Sequence, residues 1–234
     1  GSSISEIKPG DIDWKKIFSE KDWFHFTGIT PAISTQASDT CKEAAQIASD
    51  MGLVVSADMN YRKNLWSPEE AQKTMKPLMK FVDIVIGNEE DAEKCLGVSP
   101  ENVDVTSGNI DPNAYKPVIE KLQNQYNFKK IAITLRESIS ADDNNWSAIY
   151  FDGKEIHTGK KYPVRIVDRV GGGDAFASGI IYGNLQKNWS SQQILDFAVA
   201  SSAISHTFHG DFNLVSIDEV NSIAKGDTSG RVQR

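Results

Sequence analysis

Short apolar runs alternate along this chain with longer segments in which apolar residues recur every three or four positions, the alternation expected of strands and helices. Residues 23–29 read as a strand and 53–57 as a buried parallel one, with a helix over about 35–51 between them that Gly52 stops. Ser67-Pro68-Glu69-Glu70 is a helix start: Ser67 caps, Pro68 suits the first position, and Glu70 reaches back to the cap. That helix is predicted to end near Lys80. Strands at 83–87 and 130–135 follow, with a short helix over 88–96 and a longer one over 111–126, entered through Pro112. Residues 97–110 are a polar loop, and 136–145 read as a second, mobile one. Residues 146–151 and 155–158 pair as a hairpin around Asp152-Gly153-Lys154. Helices at about 173–186, 191–206 and 217–224 close the sequence.

Repeated strand–helix units predict a parallel sheet covered by helices on both faces, with ligands at the carboxyl ends of the strands. Polar residues gather where those ends should lie: 58–62 after one strand, 88–91 after the next, and 134–138 after a third. The 234 residues fit one large domain with a sizeable core. The net charge of −7 comes without a Lys/Arg stripe, which speaks against a nucleic-acid partner. No run approaches the roughly 18 apolar residues of a membrane span. The first residues have no basic segment followed by an apolar core, so they do not read as a signal peptide. Cys41 and Cys95 are far apart and lack metal-ligand spacing; both read as core thiols of a cytoplasmic protein, Cys41 on a helix face with Ala37, Ala44, Ala45 and Ala48.

The chemistry concentrates in Asp168-Arg169-Val170-Gly171-Gly172-Gly173-Asp174. Three glycines allow a tight turn, and a helix starting there adds unpaired N–H groups and the positive end of its dipole, which together make an anion cradle. Two readings of Asp174 stand. It is a buried general base that takes the proton of a hydroxyl attacking the bound anion, or it is a helix-capping residue favoured by the dipole.

This stretch resembles the C-terminal signature of the ribokinase-like (PfkB) carbohydrate kinases, in the form closest to 2-keto-3-deoxygluconate kinases. Four more segments fit in order: Phe24-His25-Phe26-Thr27-Gly28-Ile29-Thr30-Pro31, Asp58-Met59-Asn60-Tyr61-Arg62, Gly87-Asn88-Glu89-Glu90-Asp91 and His209-Gly210-Asp211-Phe212-Asn213. The resemblance implies a three-layer α/β/α fold with a mainly parallel sheet. It implies ATP-dependent phosphorylation of 2-keto-3-deoxygluconate to its 6-phosphate; a neutral-sugar kinase and a non-catalytic binding relative are the alternatives. No GxxxxGK[ST] loop is present, so this is not a P-loop enzyme.

Carried onto this sequence, the resemblance makes Asp174 the base and Gly171, Gly172 and Gly173 the donors to the phosphoryl oxygens. Arg62 would grip the substrate carboxylate, as a planar guanidinium can, with Asn60 beside it and Asp211 on a substrate hydroxyl. The alternatives are a solvated or ion-paired Arg62 and a plain turn for Asp211. Asp168, Asn88, Thr134, Arg136 and Ser138 fall on the nucleotide side. The family's Asn-x-x-Glu motif, which organises Mg²⁺ and phosphates largely through water, here ends in Asp91, one methylene shorter. Residues 198–204 read as a helix core face, and no catalytic role is assigned to His206 or His209.

Members of the family usually open with a sugar-contacting strand and a β-sheet lid through which many dimerise, before anything resembling residues 23–31. The chain therefore reads as the C-terminal two thirds of such a kinase, lacking the N-terminal strands and lid. The full-length form is expected to be a homo-oligomer, and residues 1–234 alone are expected to show no measurable kinase activity.

Overall fold

The computed structural model describes residues 2–88, 90–99 and 112–226. Contacts divide them into two units, one drawn from residues 1–103 and 113–133 and the other from 104–112 and 134–234.

In the first unit β1 (Trp23–Thr27), β2 (Val54–Asp58) and β3 (Ile84–Asn88) run parallel, with Thr27 beside Asp58 and Asp58 beside Ile86. Their carboxyl ends therefore open on one edge. Helices α1 (Trp14–Phe18), α2 (Ile29–Ile33), α3 (Thr35–Asp50), α4 (Pro68–Leu78), α5 (Asp91–Leu96) and α6 (Lys116–Tyr126) complete this unit. A 3₁₀ turn over Pro112–Tyr115 leads into α6.

The Oγ of Ser34 accepts the Ala37 N–H at 3.1 Å to start α3. Its stripe of Ala37, Cys41, Ala44, Ala45 and Ala48 is buried, as expected of small residues that let a helix approach a sheet. Burial pushes the Cys41 thiol up to about 12, and Cys95 is raised by the same cause. Both thiols are free, buried and inert.

The helix start at Ser67 forms as read: Ser67 Oγ accepts the Glu70 N–H, and Glu70 Oε2 accepts the Ser67 N–H at 2.8 Å. Ser67→Ala should cost about 1 kcal/mol. A urea melt should show the midpoint fall with an unchanged slope.

Strand β4 (Lys130–Ser138) begins in the first unit and ends in the second, where β5 (Asp143–Phe151) runs antiparallel to both β6 (Ile156–Thr158) and β7 (Tyr162–Arg165). The hairpin around 152–154 is present as read. Helices α7 (Gly172–Leu185), α8 (Ser191–Ser205) and α9 (Ile217–Ala224) follow. Tyr182 and Trp189 meet Phe197 of α8 at ring separations of 5.4 and 5.2 Å, pinning α7 and its exit to α8. The core face expected near 198–204 is buried at Ala198, Val199, Ala200 and Ala203.

One expectation fails. Residues 136–145 are not a loop but the end of β4, a turn and the start of β5. The pairing is polar and invisible to hydrophobic periodicity: Ser138 Oγ donates to Asn144 Oδ1, while Asn145 Nδ2 and Lys161 Nζ both donate to Glu137 Oε2. Strand β7 and helices α1 and α2 also went unread. The polar segment 100–110 lies outside the described residues. Among the described residues, no helix is long and apolar enough to cross a membrane.

Candidate active site

Four of the candidate residues meet at the carboxyl edge of the first unit. Asn60 leaves β2 with φ 42°, a left-handed backbone that Asn tolerates better than most residues. Its Nδ2 donates to Thr27 Oγ1 at the end of β1, 3.0 Å away. The next peptide turns inward, and the Tyr61 N–H donates to Asp91 Oδ1 at 3.0 Å. The Tyr61 hydroxyl donates to the Trp66 carbonyl at 3.1 Å, closing the far side of the loop. Arg62 is exposed at the tip, where its Nη1 donates to the Tyr61 carbonyl.

Asn88 ends β3, and its Oδ1 accepts the N–H groups of Glu90 and Asp91 at 2.8 and 3.0 Å. The second oxygen of Asp91 accepts the Asn88 N–H at 2.8 Å. Both side chains of this motif are thus engaged with backbone. Asp91 is 3% exposed. Burial raises its carboxyl above the ordinary value, opposed by the Asn88 and Tyr61 amides and by the Arg62 charge.

The second unit holds the glycine loop. Gly171 caps α7 with φ 80°, and a Cβ there would stand 2.6 Å from the Asp211 carbonyl oxygen. Glycine is required twice over, for the left-handed backbone and for the close approach. The first intrahelical bond runs from the Ala175 N–H to the Gly171 carbonyl. Helix geometry therefore leaves the N–H groups of Gly172, Gly173 and Asp174 without acceptors inside the helix.

Asp168 fastens this loop: Oδ1 accepts the Val170 N–H and Oδ2 the Gly210 N–H, each at 3.0 Å. Those bonds hold its carboxyl below the ordinary range. Asp211 is exposed and meets Gly171 through its backbone. Asp174 differs from expectation. It stands in the first turn of α7 and is exposed rather than buried, because it follows Gly173 on the open side of the helix.

Thr134 is buried inside β4, and Ser138 is spent on the hairpin ladder. Both lie within the strand, where the sequence suggested a strand-end loop. Arg136 is half-buried, and its charge reaches His206 together with that of Arg169.

His206, given no catalytic role from the sequence, and Ser202, on the helix face expected over 198–204, both pack against the start of α7. Ser202 Oγ donates to the Gly172 carbonyl at 2.7 Å, and His206 Nδ1 donates to the Ser202 carbonyl at 2.6 Å. The imidazole is 4% exposed, lies 4.7 Å from the Trp146 ring, and fills the place a Cβ on Gly172 would take, 2.4 Å from Cε1. A lone histidine near a helix end carries no sequence signal of that packing.

Burial keeps the His206 imidazole below its ordinary value of 6.5, with the Arg169 and Arg136 charges in the same direction and the Ser202 carbonyl opposing. Below about 6.5 the unfolded chain therefore binds more protons than the fold, so stability should rise with pH through that window and level off above it. Denaturant midpoints from pH 5 to 7 should show a slope that is shallower in His206→Gln. Equal slopes would exclude this contribution.

The chain matches the pfkB family carbohydrate kinases over residues 5–217, nearly its whole length. It belongs to that family. A 2-dehydro-3-deoxygalactonokinase of Haloferax volcanii is 27% identical over 229 residues, covering 98% of this chain and 65% of that protein. The crystal structure of 2-dehydro-3-deoxygluconokinase from Thermotoga maritima is similar at 46% identity and a TM-score of 0.89, over 96% of this chain and 67% of that one. A PfkB family carbohydrate kinase from Listeria grayi superposes with a TM-score of 0.84 at 28% identity, over 96% of this chain and 66% of its own. The chain thus spans about two thirds of these relatives. Its fold is the ribokinase-like three-layer α/β/α class of the PfkB kinases, with a mostly parallel sheet.

Proposed function

We propose that this chain is the C-terminal two thirds of an ATP-dependent kinase for a 2-keto-3-deoxy sugar acid, with 2-keto-3-deoxygluconate as substrate. The observation that carries the reading is the start of α7, where three N–H groups free of intrahelical acceptors stand beside the exposed carboxylate of Asp174. A substrate hydroxyl attacks the γ-phosphorus, its proton passes to Asp174, and the bond to the β-phosphate oxygen breaks to leave ADP. The amides of the glycine loop hold the transferring oxygens, and the helix dipole adds to that field.

The substrate class rests on Arg62, exposed at the end of Asp58-Met59-Asn60-Tyr61-Arg62, and on two relatives named for 2-dehydro-3-deoxy sugar acids. A guanidinium can take a carboxylate with two parallel hydrogen bonds, which selects an acid over a neutral sugar. Among the described residues no group of three or more His, Cys, Asp or Glu side chains is placed to hold a metal. Magnesium on this reading arrives with the nucleotide phosphates and neutralises their charge, held mainly by phosphate oxygens and water. Buried reduced thiols fit a cytoplasmic enzyme. The full-length form is a homo-oligomer on the same reading.

The test is ADP release by the full-length protein that carries this chain. 2-Keto-3-deoxygluconate should drive turnover and fructose should not. Faster turnover with fructose would replace the substrate class, and no sugar-dependent ADP release would make the protein a binding relative.

A further inference from the structure

We infer that Asp91 is a positioning residue for the loop that presents Arg62, and not a seat for the metal. The inference rests on the sugar-acid reading above. The carboxylate is buried and its two oxygens face two different segments: Oδ1 takes the N–H of Tyr61, in the loop after β2, and Oδ2 takes the N–H of Asn88, at the end of β3. One side chain thereby bolts the Asn60–Arg62 turn to the neighbouring strand end. A carboxylate is suited to this, since it accepts at both oxygens and donates at neither.

Asp91 also packs closely against its surroundings. A Cβ on Gly87 would lie 3.1 Å from the Asp91 Cβ and 3.2 Å from its Oδ2, so the carboxyl lies directly over a bare glycine. The same added atom would stand 2.5 Å from the Met59 Cε. A glutamate has one more methylene, which would carry both oxygens away from the two amides they now meet. Asn88 turns its own oxygen back on the Glu90 and Asp91 amides. The Arg62 charge lies close enough to favour the ionised form of Asp91, which couples the bolt to the group that reads the substrate.

The consequence is a separation of roles. Loosening the bolt releases the peptide immediately before Arg62, so the guanidinium loses its fixed placement while the glycine loop is untouched. In the full-length protein, Asp91→Asn turns one acceptor into a donor that faces an N–H, and Asp91→Glu displaces both oxygens. Each variant should raise the KM for 2-keto-3-deoxygluconate about tenfold or more, the scale of one charge-assisted hydrogen bond. The KM for ATP and the Mg²⁺ concentration at half-maximal rate should stay within about twofold. A tenfold rise in the Mg²⁺ requirement with an unchanged sugar-acid KM would overturn the inference.

Amide hydrogen exchange gives a readout that needs no turnover and separates this inference from the proposed function. In the wild-type protein the Tyr61 and Asn88 amides should be protected, and both should exchange faster in Asp91→Asn. Wild-type exchange of the Tyr61 amide at the rate of an exposed peptide would refute the bolt, even if neither variant folds. A protein that keeps this protection but binds no sugar acid would retain the bolt and lose the substrate assignment.

Discussion

Asp174→Asn is expected to lower kcat of the full-length protein by about 100-fold or more while nucleotide binding persists. The substitution is close to isosteric, so the amides of the glycine loop keep their positions and the loss isolates the proton acceptor. What makes it decisive is the competing reading as a first-turn carboxylate. A carboxylate at that point of a helix contributes only about 0.3–1 kcal/mol through the dipole. Loss of that alone would lower the melting temperature slightly and leave turnover near normal. The two readings therefore predict opposite rankings of the kinetic and thermal effects, and stopped-time ADP assays beside a thermal melt distinguish them. The exposure of Asp174 sharpens the contrast, because no core packing is lost with the charge.

The second large effect is expected at Arg62. Arg62→Ala should weaken 2-keto-3-deoxygluconate by roughly 10- to 150-fold, the equivalent of about 1.5–3 kcal/mol for a hydrogen bond to a charged group. Binding of a neutral hexose should change little. Arg62→Lys should recover only part of the loss, since an ammonium restores the charge but not the paired geometry. Calorimetric titration of both ligands into both variants gives the comparison. Equal losses for acid and neutral sugar would mean that Arg62 shapes the loop without reading the carboxylate.

Much of this was legible in the sequence, and the exceptions share a cause. The helix at Ser67 and the turn at Gly171 announce themselves because the residues that make them are neighbours in the chain. The strands after Leu53 and Asp83 were legible as apolar runs, each displaced by one residue in the structure. Residues 136–145 were misread because Ser138 pairs with Asn144 and Glu137 with Asn145 through side-chain hydrogen bonds, for which a hydrophobic pattern has no symbol. The burial expected of Asp174 failed because a motif fixes the order of residues and not the direction in which a helix faces. The links from Asp91 to Tyr61 and from His206 to Gly172 could not be read at all. Each joins residues 30 or more apart in sequence.

The fastening by Asp168 has a consequence for when the glycine turn is completed. The bond to Gly210 spans 42 residues, and all of α7 and α8 lie between its ends. The glycine turn therefore cannot be finished when its own residues have been synthesised; it waits until the chain beyond α8 has come back to it. Closing a loop of that length is entropically costly before the contacts that reward it exist, so this piece belongs to a late step in folding. It should also be among the first to open when the second unit is stressed. Competence for phosphoryl transfer should then disappear at lower denaturant than helical circular dichroism, as the cradle comes apart while α7 and α8 are still standing.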